Sequence, residues 1–500
     1  MMELIVNFPC FSIIMSLMGA VICSVLPKRG ARALATTLIG CGLAMSIATL
    51  VRGIVTDEVV TFMMGHHPAP WGNEIRFGIL EPLFASLFSL VLLLCLLGGN
   101  LELEQKTASD RRHLYYTMVM LIQASLYALS YTNDIFTGYV FIEICTIASC
   151  GILLIRGSGR AITAATRYMI FSLMGSGLFL LGVVMLYAIT GHLLMPSIRE
   201  AMQILWEHGD YRLPMKVTIS LMVVGVAIKT GLFPFHFWMA DTYGTALPGS
   251  AGILSGIISK GYIVLLIKII YQVLGTEIFY SSGAQNVLFA FGVAGMIFGS
   301  ISAIRQNHIR KMVAFSSAAQ IGYIYMGIGI SPAAGMTAAA FHILTHALTK
   351  PALFLSAARL TEASNNSKLF ADLQSSGHRN RVAGVAFTFA ALSMVGIPSM
   401  IGFVSKVLFA EAGVTAGNKM LPTLIALAIS TVLNVMYFLR TVIRIYTPVR
   451  DNDSMGRTIR WYEQKTFTVV AVVFVLLNLA LGLHSQPVIN LLERGLALLG

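Results

Sequence analysis

Seven residues that interrupt the apolar runs of this chain carry groups able to take up and release a proton: Glu143, Lys229, Lys260, His342, His346, Lys350 and Lys406. Glu143 stands in Tyr139-Val-Phe-Ile-Glu-Ile-Cys145 and Lys260 in Gly256-Ile-Ile-Ser-Lys-Gly261, each near the middle of its run. Phe341-His-Ile-Leu-Thr-His-Ala-Leu-Thr-Lys350 spaces His342, His346 and Lys350 at i, i+4 and i+8, one face of a helix. Burial or a like charge favours a neutral amine, whereas a nearby carboxylate favours ammonium. A lysine held between such neighbours can load and unload a proton. The other chemistries lack their residues. There is no P-loop, dinucleotide-binding fingerprint, CxxC cluster or nucleophile elbow, so no catalytic centre or cofactor is expected.

These groups need a scaffold, and composition names it. Charged residues make up 11% of the 500 and hydrophobic ones 56%, against about 25% charged in a soluble chain. This describes an all-α polytopic membrane protein, its length taken up by spans of about 20 residues each. Apolar runs from 4–26 to 466–485 give about fourteen transmembrane helices, among them 113–131, 216–239, 251–274, 333–358 and 384–410. The first run is read as a span, because it lacks the basic leader of a signal peptide. The six cysteines all lie in apolar runs and read as packing residues. His66-His67 falls in a loop and reads as solvated rather than metal-binding.

The net charge of +12 does not call for a nucleic-acid partner. With fourteen spans, 22 of the 34 basic residues fall in one alternating set of loops and seven in the other, and five lie within spans. That asymmetry marks the first set as cytoplasmic and puts both termini outside. Each charge at the bilayer centre costs roughly 2.5–3.5 kcal/mol. Four central lysines against one glutamate leave roughly 7–10 kcal/mol that ion pairing does not remove. Water-lined cavities or neutral amines must remove it. Lys268, near the end of its run, is expected to snorkel to the interface.

The glycines and prolines add a second pattern. Lys229 is followed by Gly231, Pro234 and His236, and Lys406 is preceded by Gly396 and Pro398. A mid-span Gly-x-x-Pro breaks a helix, and broken helices mark ion paths in transporters. The two breaks are about 165 residues apart, and Leu178-Phe-Leu180 recurs as Leu353-Phe-Leu355, 175 residues on. Because five is odd, two five-helix units would start in opposite orientations. The expected division is helices 1–3 over 1–110, inverted repeats over 111–274 and 275–445, each with a broken helix, and helix 14 over 446–500.

The ordered set resembles the antiporter-like subunits shared by respiratory complex I, membrane-bound hydrogenases and multisubunit Mrp sodium/proton antiporters. The resemblance covers about 77–445 and is carried by Lys229 with Pro234-Phe-His-Phe-Trp238, then by Glu143, Lys260, the H-x3-H-x3-K of His342, His346 and Lys350, and the Gly396-Ile-Pro398 break before Lys406. It implies that Glu143 and Lys229 form the input pair of a proton path, with Lys260 and the histidines as central relay and Lys406 as exit. Gln320 and Lys406, and the short stretch after the last run, make the chain look most like the D-type Mrp subunit or its hydrogenase counterpart.

The implied partners are the lipid bilayer, other membrane subunits of one complex, and H+. Na+ joins them if a sodium gradient is the driving force, and a soluble redox arm if electron transfer is. A quinone-associated subunit of a redox enzyme is the alternative function, and a purely structural membrane subunit is a third.

Overall fold

The computed structural model describes residues 2–67, 72–209, 211–448 and 456–500. The side chain of His66, and Arg450 of the basic loops, lie outside the described residues.

Helices occupy every apolar run read from the sequence. Among the described residues, eleven are long and apolar enough to cross a membrane, from Phe8–Val25 to Trp461–Leu483. The protein is therefore a polytopic membrane protein. The runs at 113–131, 333–358 and 384–410 are also helical, as Arg112–Tyr131, Ala334–Glu362, and Arg381–Val395 followed by Ile401–Thr415. These are more polar or shorter, so length and composition account for eleven of the fourteen expected crossings.

Burial sorts the helices. The spans Pro248–Leu274 and Ile309–Ile330 are enclosed over their whole apolar windows, and Ala334–Glu362 is buried along nearly its full length. All three carry ionisable or hydroxyl groups, which lipid would not solvate. Phe8–Val25, Gly159–Thr190 and Met420–Tyr446 instead leave large apolar side chains uncovered, Val21, Leu173 and Val432 among them. Such faces suit lipid or another apolar subunit.

The two breaks share one geometry. Arg212–Thr230 ends at Gly231 (φ 74°), and the next amide, Leu232 N, donates back to Ala227 O at 3.0 Å. Arg381–Val395 ends at Gly396 (φ 92°), and Ile397 N donates to Leu392 O at 3.1 Å. Each is a helix end closed through a left-handed glycine, where a Cβ is costly. The prolines follow, without an N–H to continue the helix. The chain resumes as Trp238–Thr245 and as Ile401–Thr415.

Among the described residues, the all-α architecture carries one short strand pair in a loop. Val60–Met63 and Glu74–Phe77 pair as an antiparallel hairpin. Four-residue strands are too short to leave a periodic signal beside spans of this length. Two amphipathic helices outside the predicted runs, Met195–His208 and Gln486–Ala497, were also not read from the sequence. The loop contacts fall within the two predicted sets. Arg156 reaches Thr245 O and Arg444 reaches Phe370 O within the basic set, whereas Arg76 reaches Leu498 O and Lys419 reaches Gly329 O within the other.

Candidate functional site

The ionisable groups form three clusters. In the first, Lys229 is the next-to-last residue of Arg212–Thr230, so its amine sits at the break. It lies 3.5 Å from the Glu143 carboxylate, and the lysine side chain is fully buried while that of Glu143 is 21% exposed. The amine donates to Thr146 Oγ1 (2.9 Å), Ser172 O (3.2 Å) and Ser176 Oγ, and lies 5.5 Å from the Tyr262 ring centroid. A lone ammonium here would be costly; a carboxylate, three oxygens and an aromatic face together offset that cost.

The second cluster holds Lys260, His342, His346 and Lys350, all enclosed. Lys260 donates to the carbonyl of Ser255 and to Ser259 Oγ at 3.1 Å. Ser255 lies in the π-helical stretch Leu254–Ile258, where the wider ladder turns its carbonyl toward the amine. Lys350 donates to Ser316 Oγ and to Val313 O at 3.3 Å. No carboxylate among the described residues pairs with either amine. His346 lies within electrostatic range of Lys260, Lys350 and His342. Neither of its ring nitrogens bonds a protein group, so the ring stays available both to take and to give a proton.

The third cluster begins at His342, whose Nδ1 meets Ser405 Oγ at 2.6 Å and whose ring stacks on Tyr323 at 5.3 Å. The Lys406 amine also lies near Tyr323, 6.0 Å from its ring centroid. Lys406 is half-buried and donates to Val395 O (2.5 Å), at the end of the broken helix, and to Thr431 Oγ1 (2.9 Å). A Cβ on Gly396 would come within 2.9 Å of Lys406 Cδ. Gly396→Ala is therefore expected to strain the backbone by about 1–2 kcal/mol and to displace the amine. Thermal unfolding of the complex and transport per complex should both fall; unchanged transport would detach Lys406 from the break.

The structure thus gathers six of the seven proposed relay residues around two helix crossings and adds Lys406 at the second break. Gly231, Pro234, Gly396 and Pro398 shape the helix ends. His236 is set apart: it lies in the first break among Phe233, Phe237 and Phe315, with neither ring nitrogen bonded. No hydrogen bond joins the Lys229 group to Lys260 among the described residues; Tyr262, two residues from Lys260, meets Thr146 of the Lys229 group at 3.4 Å. Sequence reasoning missed Thr146, Ser172, Ser176, Ser316, Tyr323 and Ser405. Thr146 follows Glu143 at i+3, and Ser172 and Ser176 are i, i+4, so shared helix faces were the available signal.

Lys268 does not snorkel. It is fully buried, and its amine donates to Ser130 O (2.7 Å) and Thr132 O (2.5 Å), closing the end of Arg112–Tyr131. A helix C-terminus leaves its last carbonyls unpaired, and the lysine supplies the missing donor. Lys268→Arg is expected to overpack this slot and cost about 1–3 kcal/mol of stability. A melting temperature equal to the parent's would contradict the enclosed geometry.

Among the described residues, no three His, Cys, Asp or Glu side chains converge on a metal-sized site.

The family model described as "NADH:quinone oxidoreductase/Mrp antiporter, TM" matches residues 132–433, which hold all seven ionisable positions. The NADH-quinone oxidoreductase subunit N of Desulforudis audaxviator (strain MP104C) is 31% identical over 83% of this chain and 80% of its own. The D-type Na(+)/H(+) antiporter subunit of Bacillus subtilis (strain 168) is 26% identical over 96% and 94%. In shape, the chain matches one from the Mrp complex of Dietzia sp. DQ12-45-1b with a TM-score of 0.86 at 24% identity, over 99% of this chain and 97% of that one.

Proposed function

This chain belongs to the NADH:quinone oxidoreductase/Mrp antiporter transmembrane family, and we propose that it moves protons through the row of buried groups from Glu143 to Lys406. It is an antiporter-like subunit of an Mrp-type or complex I-type membrane complex. In the finer reading, Glu143 and Lys229 take the proton in. Lys260, His346, Lys350 and His342 carry it across the centre, and Lys406 releases it.

The observation that carries this reading is the Lys229–Glu143 pair at 3.5 Å, its lysine fully buried, backed by two enclosed lysines with no carboxylate partner among the described residues. A structural ion pair explains one buried lysine. It does not explain Lys260 and Lys350, whose desolvation is balanced by neutral oxygens alone. Groups so placed can change protonation as neighbouring charges change.

The same proposal includes the inverted repeats over 111–274 and 275–445, which the matching helix ends at Gly231 and Gly396 support. It puts the protein in the cell membrane with both termini outside, supported by loop contacts that stay within each predicted set. Its partners are other membrane subunits. A sodium gradient drives the transport if the parent complex is an antiporter, and electron transfer in a soluble arm if it is a redox pump. The test is to purify the complex, identify its subunits and reconstitute it in vesicles. Proton uptake that answers to an imposed sodium gradient assigns antiport; uptake only with a redox substrate assigns the pump. Uptake under neither condition contradicts proton translocation.

A further inference from the structure

At the end of the molecule lined by the basic loops, the start of Gly159–Thr190, the end of Trp238–Thr245, the start of Ile309–Ile330 and the loop at Lys368 enclose a cavity of about 770 Å³. Five cationic side chains line it, Arg156, Arg160, Arg167, Lys311 and Lys368, against one carboxylate, Asp241. Asp241 is already engaged by Arg167 at 2.6 Å and Lys311 at 2.9 Å. Arg156 is spent on Thr245 O at 3.1 Å. The side chains of Arg160 and Lys368 make no hydrogen bond or ion pair with any described residue. Burial, together with Arg310, Arg156, Lys106 and Arg160, pushes the Lys368 amine down to about 8. The cations therefore oppose one another across the cavity.

Two further features bear on what would relieve that repulsion. Both Gly159–Thr190 and Ile309–Ile330 begin at the cavity, and helix N-termini add partial positive charge. On the helix that carries Arg160, Ile162, Ile170 and Leu173 are half-exposed and apolar, a face suited to acyl chains. The cavity is thus a cationic slot beside a lipid-facing wall, on the side that the charge bias marks as cytoplasmic.

We propose that this cavity binds the phosphate headgroup of an anionic phospholipid, held by Arg160 and Lys368, with the acyl chains lying along the Ile162–Ile170 face. The site is separate from the proton path, and neither residue belongs to the proposed relay.

The test uses the whole complex, delipidated and then titrated with phosphatidylglycerol or phosphatidylcholine, with bound lipid counted by native mass spectrometry. The expected result is selective retention of phosphatidylglycerol that weakens about tenfold in R160Q/K368Q and returns in R160K/K368R. If the double variant fails to assemble, R160Q and K368Q singly give the same reading with smaller shifts. Equal phosphatidylglycerol retention by parent and neutralised variants would overturn the site. Inorganic pyrophosphate added to the parent separates a lipid from a soluble phosphate. Binding of pyrophosphate that phosphatidylglycerol cannot displace would overturn the lipid assignment.

Discussion

Glu143→Gln lowers coupled transport by at least about tenfold, the loss expected when a positioned proton carrier is removed, while the complex still assembles. Glutamine keeps the size of the side chain and its place 3.5 Å from Lys229, but not the charge. Thr146, Ser172 and Ser176 remain to solvate the amine, so the fold tolerates the change. What disappears is the one group in this cluster whose charge favours the protonated lysine. The partly exposed carboxylate is also the only acid in this cluster among the described residues, so a proton arriving at Lys229 loses its donor. Vesicle transport assays beside native gels separate the two effects. Normal transport by the mutant would remove Glu143 from the path.

Lys260→Arg is expected to abolish most transport although it preserves positive charge. Lys260 is fully enclosed and, among the described residues, bonds only Ser255 O and Ser259 Oγ. If its role were a fixed charge, arginine would serve. If the amine must give up its proton, arginine fails, because guanidinium stays protonated below about pH 12. Because the larger head also crowds a closed site, Lys260→Gln provides the companion measurement: it removes the charge without added bulk. A relay requires both variants to fail. Full transport by the arginine variant with loss in the glutamine variant would assign Lys260 a static electrostatic role.

Much of this arrangement was legible because lipid makes the sequence speak plainly. A lysine at mid-span is expensive, so Lys229, Lys260, Lys350 and Lys406 announced themselves, and the left-handed glycines announced the two breaks. The neutral oxygens that make those lysines tolerable were not legible. Ser172, Ser176 and Ser316 carry no penalty that would mark them out from other small residues of a transmembrane helix. Lys268 was misread for a related reason. Position near a span end suggested snorkelling, whereas the adjacent end of Arg112–Tyr131 offered two carbonyls that only tertiary structure brings within reach. The hairpin escaped because its strands are short, and Tyr323 because an aromatic inside a span reads as packing until a lysine and a histidine are both found beside its ring.

The central claim, that protons pass through the middle of this chain, rests most directly on Lys350. Its amine is buried without a carboxylate among the described residues, and it lies one turn beyond His346. Methionine is close to lysine in length and carries no charge, so a role confined to packing tolerates the change. The decisive measurement is proton uptake by vesicles holding the complete complex with Lys350→Met, normalised to assembled complex. The account predicts normal or improved assembly with uptake reduced to the level of empty vesicles. Uptake equal to that of the unaltered complex would contradict it.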